Sequence, residues 1–204
     1  MGTVGTIYLM PVAKGTSLDP ERTRAAMLGA ASLVFYERGL DGVGVAELCS
    51  SVGASKETLY RHFGSKDGLI EAVLEARSDR INEWMRSAAE AAGDDPAAQL
   101  SAVFDVLGDW YSEPHFRGCA IVNAATQRHV EPARSIAVHH LDRYLELFTD
   151  IATAAGVADP ARVGRQLLML LEGATVLADH HGLGRAAADE AREVALGLLG
   201  TQFR

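Results

Sequence analysis

Little in this sequence favours strands, covalent bridges or membranes. Of its 204 residues only six are proline and two are cysteine, and aromatics make up 6%. Cys49 and Cys119 lie far apart, each in apolar surroundings of helical pattern, and read as free thiols of a reducing cytoplasm rather than as a bridge. No run of about eighteen apolar residues occurs, which excludes a helical membrane span. The start, Met1 to Ser17, mixes apolar residues with Gly and Thr and has no basic leading region, so it makes a poor signal peptide. A loose tail over residues 1–18 is the expectation. There is no internal repeat, strand alternation, Gly-rich phosphate loop, nucleophile elbow or zinc motif. An enzyme therefore has no positive support, and neither a cofactor nor a metal is expected.

What is present is a helix-forming, core-building composition. Hydrophobic residues are 48% of the chain, and alanine and leucine are abundant. The net charge of −8 seems wrong for a nucleic-acid binder, but it is unevenly spread. Residues 1–66 hold seven Lys/Arg and six Asp/Glu, whereas the remainder holds twelve Lys/Arg and twenty-one Asp/Glu. Screening within about 10 Å makes the local charge the one that phosphates feel.

The helix signals are regular. Asp19 or Ser17 can cap a first helix with Pro20 in its first turn, and Met27, Leu28, Ala31, Val34 and Phe35 form its apolar face. Gly39 stops it. A short helix spans about Val45 to Val52 and is broken by Gly53. Another runs from Ser55, its N-cap, to Phe63. Gly64-Ser65 then opens a long helix to about Ala92. The later helices are expected at about Pro96–Tyr111, Cys119–His129, Glu131–Ala155, Pro160–His181 and Arg185–Gly200. Three short helices within about 45 residues, the last two joined by a tight glycine turn, form a helix-turn-helix pattern.

The third helix carries the functional signal. Leu59 and Phe63, four apart, must face inward. The opposite face then shows Lys56, Glu57, Thr58, Tyr60, Arg61 and His62. Long cations and hydroxyls on one short face suit a phosphate-lined groove. Lys66 follows at the start of the next helix, where free N–H groups favour an anion. Taken alone, this stretch could equally be an ordinary solvated helix face.

The order and spacing of further residues carry a specific resemblance. They are Ala30-Ala31, Phe35 and Arg38-Gly39, then Leu48 and Gly53-Ala54-Ser55, then Thr58-Leu59-Tyr60 and His62-Phe63, and last Ser65-Lys66 with Leu69. From Arg24 to about Leu74 the chain resembles the DNA-binding head of the TetR family of repressors. The helical remainder resembles that family's ligand-binding and dimerisation domain, with Gly118-Cys119 and Asn123-Ala124-Ala125 recurring in one broad branch. The resemblance implies that Tyr60 and Lys66 contact phosphates and that Thr58 contacts phosphate or a thymine methyl. It also implies that Lys56, Glu57 and Arg61 lie nearest base edges, with Ser55 and His62 completing the surface. Three departures stand out. Val43 and Gly44 replace the Thr/Ser usual at the start of the second helix, Ala46 replaces a commonly basic residue, and Glu57 replaces a small one. Glu57 could accept from cytosine N4 or repel phosphates, and the second is preferred.

In the body, His139-His140 and His180-His181 are poor chelators, because adjacent helix residues point about 100° apart. Exposed or helix-end histidines are expected. Cys119 lacks a partner in sequence and reads first as a small buried or pocket-lining residue, with a redox sensor as a distant second reading. A pocket for a small, mostly apolar effector is expected from Phe104, Leu107, Trp110, Tyr111, Cys119, Val122, Asn123, Tyr144, Phe148 and Met169. Asn123 and Glu172 are polar groups in apolar stretches, to be paired or to face something polar, and could equally be ordinary solvent-facing positions. The last two helices are apolar over more than one stripe, so a homodimer interface is expected at Leu168, Leu171, Ala174, Thr175, Ala178, Val194 and Leu198.

The expected fold is all-α, with a tail over 1–18, a helix-turn-helix DNA-binding head over 19–66 and a helical ligand-binding and dimerisation domain over 67–204. The expected function is a cytoplasmic, ligand-responsive repressor that binds double-stranded palindromic operator DNA as a homodimer. The alternative is a helical ligand-binding protein or enzyme that has lost operator binding.

Overall fold

The computed structural model describes residues 20–129 and 131–200. Among them are nine helices and no strand: α1 (Pro20–Arg38), α2 (Val45–Val52), α3 (Lys56–Phe63), α4 (Lys66–Ala91), α5 (Pro96–Tyr111), α6 (Ala120–Arg128), α7 (Ala133–Ala154), α8 (Pro160–His180) and α9 (Arg185–Gly200). Each expected helix is present with ends within a few residues. The capping expectation for Ser17 and Asp19, and the expected tail over 1–18, lie outside the described residues.

Local chemistry accounts for the boundaries. The Ser55 hydroxyl accepts from the Thr58 N–H at 3.1 Å and opens α3. Ser65 accepts from the Gly68 N–H at 2.9 Å and opens α4. Asp95 and Asp159 do the same for α5 and α8, each with a proline just inside the helix. Gly53 ends α2 in a left-handed conformation, φ 69°, that a side chain would strain.

The chain divides into two compact units. The first comprises the described residues up to Arg80 together with Ala120–Ala137, and the second comprises Ile81–Cys119 with the described residues from Val138 onward.

In the first unit, Met27, Ala31, Phe35, Leu40, Val43, Leu48, Leu59, Leu69 and Val73 are buried. The turn after α1 is held on both sides of one residue. The Leu40 N–H donates to Gln127 Oε1 at 3.3 Å, and the Leu40 carbonyl accepts from the Lys66 ammonium at 2.7 Å. Arg38 pairs with Glu47, tying the end of α1 to the first turn of α2. The Arg77 guanidinium lies 4.3 Å from the centre of the Tyr36 ring.

In the second unit α9 packs against α5 and α8. Ala187, Ala188, Ala191, Ala195 and Leu199 form its buried stripe. Arg185 and Arg192 pair with Asp105 of α5 and Asp189 of α9, and Arg185 also reaches Asp109 at 2.5 Å. Gly164 lets α8 approach α7, since an added Cβ would stand 2.5 Å from Thr149 Oγ1. Among the described residues no helix is long and apolar enough to cross a membrane.

Candidate nucleic-acid interface

Eight residues make too short a helix to persist alone in water, so α3 exists because its inner face is buried. Leu59 is fully buried and Phe63 half-buried, as their spacing requires. The outer face carries Lys56, Glu57, Tyr60 and Arg61, all exposed, with Tyr60 at 48%. Ser55 is exposed and Thr58 half-buried. Their hydroxyls lie 2.9 Å apart, so the cap also fixes the Thr58 rotamer. Arg24 stands over the Phe63 ring at 5.2 Å and adds a cation beside the helix. Sequence spacing alone gave no sign of this contact, because it joins residues 39 positions apart.

Two expected contact residues are placed differently from the rest. His62 is half-buried, and its Nε2 is shut away from solvent without a hydrogen-bond partner, so that edge of the ring faces protein. Lys66 is half-buried and spends one ammonium hydrogen on the Leu40 carbonyl. It is first a strut of the head, with two ammonium hydrogens left for other acceptors.

The weak start of α2 is visible in the geometry. Its N-cap is Gly44, with no side-chain hydrogen bond to the helix, and the neighbouring Val43 is buried in the core. The orphan N–H groups of that first turn are therefore left for solvent or a ligand.

In the second unit, Phe104, Leu107, Trp110, Tyr111, Cys119, Tyr144 and Phe148 are all buried. Trp110 and Phe116 meet edge to face at 4.9 Å, and Tyr111 lies 5.1 Å from Phe116. Met169, expected with them, is instead 66% exposed on the outer side of α8. Val122 is half-buried and Asn123 exposed, both in the first unit. His140 reverses the expectation of an exposed histidine. It is fully buried, with Asn82 Nδ2 3.0 Å from its Nδ1 and the Cys119 sulfur 3.6 Å from its Nε2. The Tyr111 hydroxyl meets Thr175 Oγ1 at 2.7 Å. Burial raises the Tyr111 and Tyr144 hydroxyls above the ordinary phenol range, with the nearby Glu172 carboxyl and Cys119 thiol adding to it. Burial also raises the Glu172 carboxyl, whose Oε1 is buried without a partner.

The expected interface residues divide by burial. Leu171, Ala174, Thr175 and Ala178 fill the interior of their own unit, while Leu168 and Leu198 are half-buried and Val194 is exposed. The apolar side chains left outward are Met169, Val176 and Leu177 on α8 and Val194 on α9. Gly173 and Gly197 lie among them with open space around an added Cβ.

A short capped helix with a polar outer face, set by a glycine turn against a second short helix, is a helix-turn-helix module, the kind that lays its second helix in the major groove of DNA. Residues 27–73 match the model of the family described as bacterial regulatory proteins, tetR family. Over that stretch the chain resembles members of that family. Over 97 residues it is 35% identical to the HTH-type transcriptional activator FasR of Mycolicibacterium smegmatis, covering 46% of this chain and 44% of that one. Over 59 residues it is 41% identical to the HTH-type transcriptional regulator UidR of Escherichia coli, covering 29% of each. The chain thus spans less than half the length of these curated relatives. A TetR-family transcriptional regulator from Streptomyces coelicolor shares the fold with a TM-score of 0.80 and 28% identity, over 90% of this chain and 97% of that one. These proteins are transcriptional regulators, not enzymes.

Gly44→Ser is expected to supply the missing cap of α2, because nothing lies within 4 Å of an added Cβ there. The gain is about 0.5 kcal/mol, or about 1–2 °C in Tm. A thermal melt checks this, and an unchanged or lower Tm counts against the cap assignment.

Proposed function

We propose that this chain is a transcriptional repressor that binds palindromic operator DNA as a homodimer and is released by a small, mostly apolar effector. The observation that carries the reading is the outer face of α3. Lys56, Tyr60 and Arg61 are exposed above a buried Leu59, on a head whose charge is close to neutral in an otherwise acidic protein. Tyr60 serves phosphates, and Lys56 lies with Arg61 nearest base edges. Ser55 and Thr58 shape the entry of the helix, and Glu57 restrains non-specific binding. Lys66 orders the turn at Leu40 while offering its remaining hydrogens to a phosphate. FasR, named an activator, shows that a relative is named for the opposite sign of regulation. Repression is preferred because blocking a promoter requires only occupancy. A cytoplasmic location follows from the proposed target.

Tyr60→Phe is expected to weaken binding to every DNA sequence alike, since phosphate contacts carry no base information. Arg61→Ala should also relax base preference, by roughly 1–3 kcal/mol if it reads guanine. Footprinting and gel shifts on the DNA upstream of the chain's own gene measure this. Failure of the wild-type protein to protect any two-fold symmetric site would leave the alternative, a ligand-binding protein without an operator.

The dimer is proposed to form through the outward faces of α8 and α9, centred on Met169, Gly173, Val176, Leu177, Val194 and Leu198. Exposed apolar side chains grouped around glycines fit close approach by a two-fold mate. Val176→Glu with Val194→Glu should convert the dimer to a monomer in light scattering at micromolar concentration. A wild-type monomer would refute the interface.

The effector is proposed to enter among the aromatic side chains of the second unit, where Glu172 Oε1 is a buried acceptor awaiting a donor. Neutral or cationic aromatic compounds are expected to raise Tm by mass action and to release DNA. Glu172→Gln should remove the preference for cations. A screen in which only phosphorylated metabolites stabilise the protein would reject this lining as the effector site. By linkage, an effector that prefers the DNA-incompetent state weakens DNA binding by the factor by which DNA weakens its own binding.

A further inference from the structure

We propose that Cys119, His140 and Asn82 form a reactive thiol site that is alkylated by soft electrophiles of the α,β-unsaturated carbonyl class. The proposal depends neither on operator binding nor on a reversible effector.

The argument starts from an asymmetry between two cysteines. Both are free thiols and both are buried, Cys49 at 5% and Cys119 at 6% exposure. Burial therefore does not distinguish them. What differs is the neighbour. The Cys119 sulfur lies 3.6 Å from His140 Nε2, within reach of a sulfur hydrogen bond, and the far side of that ring is held by the Asn82 amide at 3.0 Å. The Tyr144 ring packs on the imidazole, with centroids 4.5 Å apart, and fixes its plane. A nucleophile, a base and a group that orients the base are thus assembled from a loop, α7 and α4, all in the second unit.

A fully buried imidazole next to a thiol is not needed for packing, since an apolar ring would fill the space without a polar atom to satisfy. Its chemistry is to take the thiol proton. For Nε2 to take it, the neutral ring carries its proton on Nδ1 and donates it to the Asn82 amide oxygen, which faces the ring after half a turn about the last side-chain bond, and the same bond holds the imidazolium once it forms. Titratable groups around the pair include Tyr111 of α5, Arg143 and Tyr144 of α7 and Glu172 of α8. Burial raises both phenols and the Glu172 carboxyl, and the phenols remain neutral donors.

The step balances without an oxidant. His140 Nε2 takes the Cys119 proton, and the thiolate adds to the β-carbon of the electrophile. One carbon–sulfur bond forms as the carbon–carbon π bond opens to an enolate. The enolate takes the proton from the imidazolium at its α-carbon, leaving a neutral thioether and a neutral imidazole. The ligand class is a small alkene or quinone conjugated to a carbonyl, compatible with the aromatic surroundings of the site.

The test uses the native full-length protein and N-ethylmaleimide, with adducts at Cys119 and Cys49 quantified by peptide mass over time. Cys119 is expected to react about tenfold faster than Cys49 or more, because its thiolate fraction is raised by the imidazole. His140→Gln should bring the Cys119 rate down to that of Cys49 while leaving Cys49 unchanged. The wild-type pH profile gives a second readout that needs no variant. The Cys119 rate should level off at a lower pH than the Cys49 rate. Equal rates at the two cysteines, parallel pH profiles, or a Cys119 rate indifferent to His140→Gln would each overturn the proposal.

Discussion

The polar outer face of α3 depends on burying what lies beneath it. α2 and α3 have eight residues each, too few to hold helical form in water, so their existence is a tertiary fact. Leu48 and Leu59, both fully buried, fix which way these helices roll, and the roll decides that Lys56, Tyr60 and Arg61 point out. A residue shift of one position would turn the face by about 100° and lose the surface altogether.

The head is then locked by polar contacts at a single turn. The Leu40 backbone accepts from Lys66 at its carbonyl and gives its N–H to Gln127. Gly39, at φ 75°, makes the turn possible, and Gln127 lies 3.2 Å from where a Cβ at Gly39 would stand. Arg38 and Glu47 brace the same corner from solvent, where an exposed pair contributes at most about 1 kcal/mol. The body is built differently. Its interior is aromatic and aliphatic, but polar groups are set into it: Tyr111 with Thr175, His140 with Asn82 and Cys119, and Glu172 with an unpaired oxygen. Such groups are costly to bury unless they serve a partner. This separation of a head with a polar outer face from a body with polar atoms inside fits the division of labour proposed for the chain.

Nine helices were legible in the sequence because their boundaries are local. Ser55, Ser65, Asp95 with Pro96, Asp159 with Pro160, and the glycines at 39, 53 and 64 each act on the few residues beside them. The exposed face of α3 was legible too, since the four-residue spacing of Leu59 and Phe63 leaves one orientation. The family resemblance rested on the same local signals, and the matched model covers the same stretch.

Tertiary structure alone decided what each side chain meets across the fold. α8 is apolar on several sides, and its periodicity could not say which stripe packs inward. The fold buries Leu171, Ala174, Thr175 and Ala178 and leaves Met169, Val176 and Leu177 outside. The roles of Lys66 and His140 were hidden for a related reason. Their partners, Leu40, Asn82 and Cys119, lie 21 to 58 positions away, beyond anything helical spacing encodes. Sequence fixes a pattern along one helix, whereas burial is set by which helices close around it.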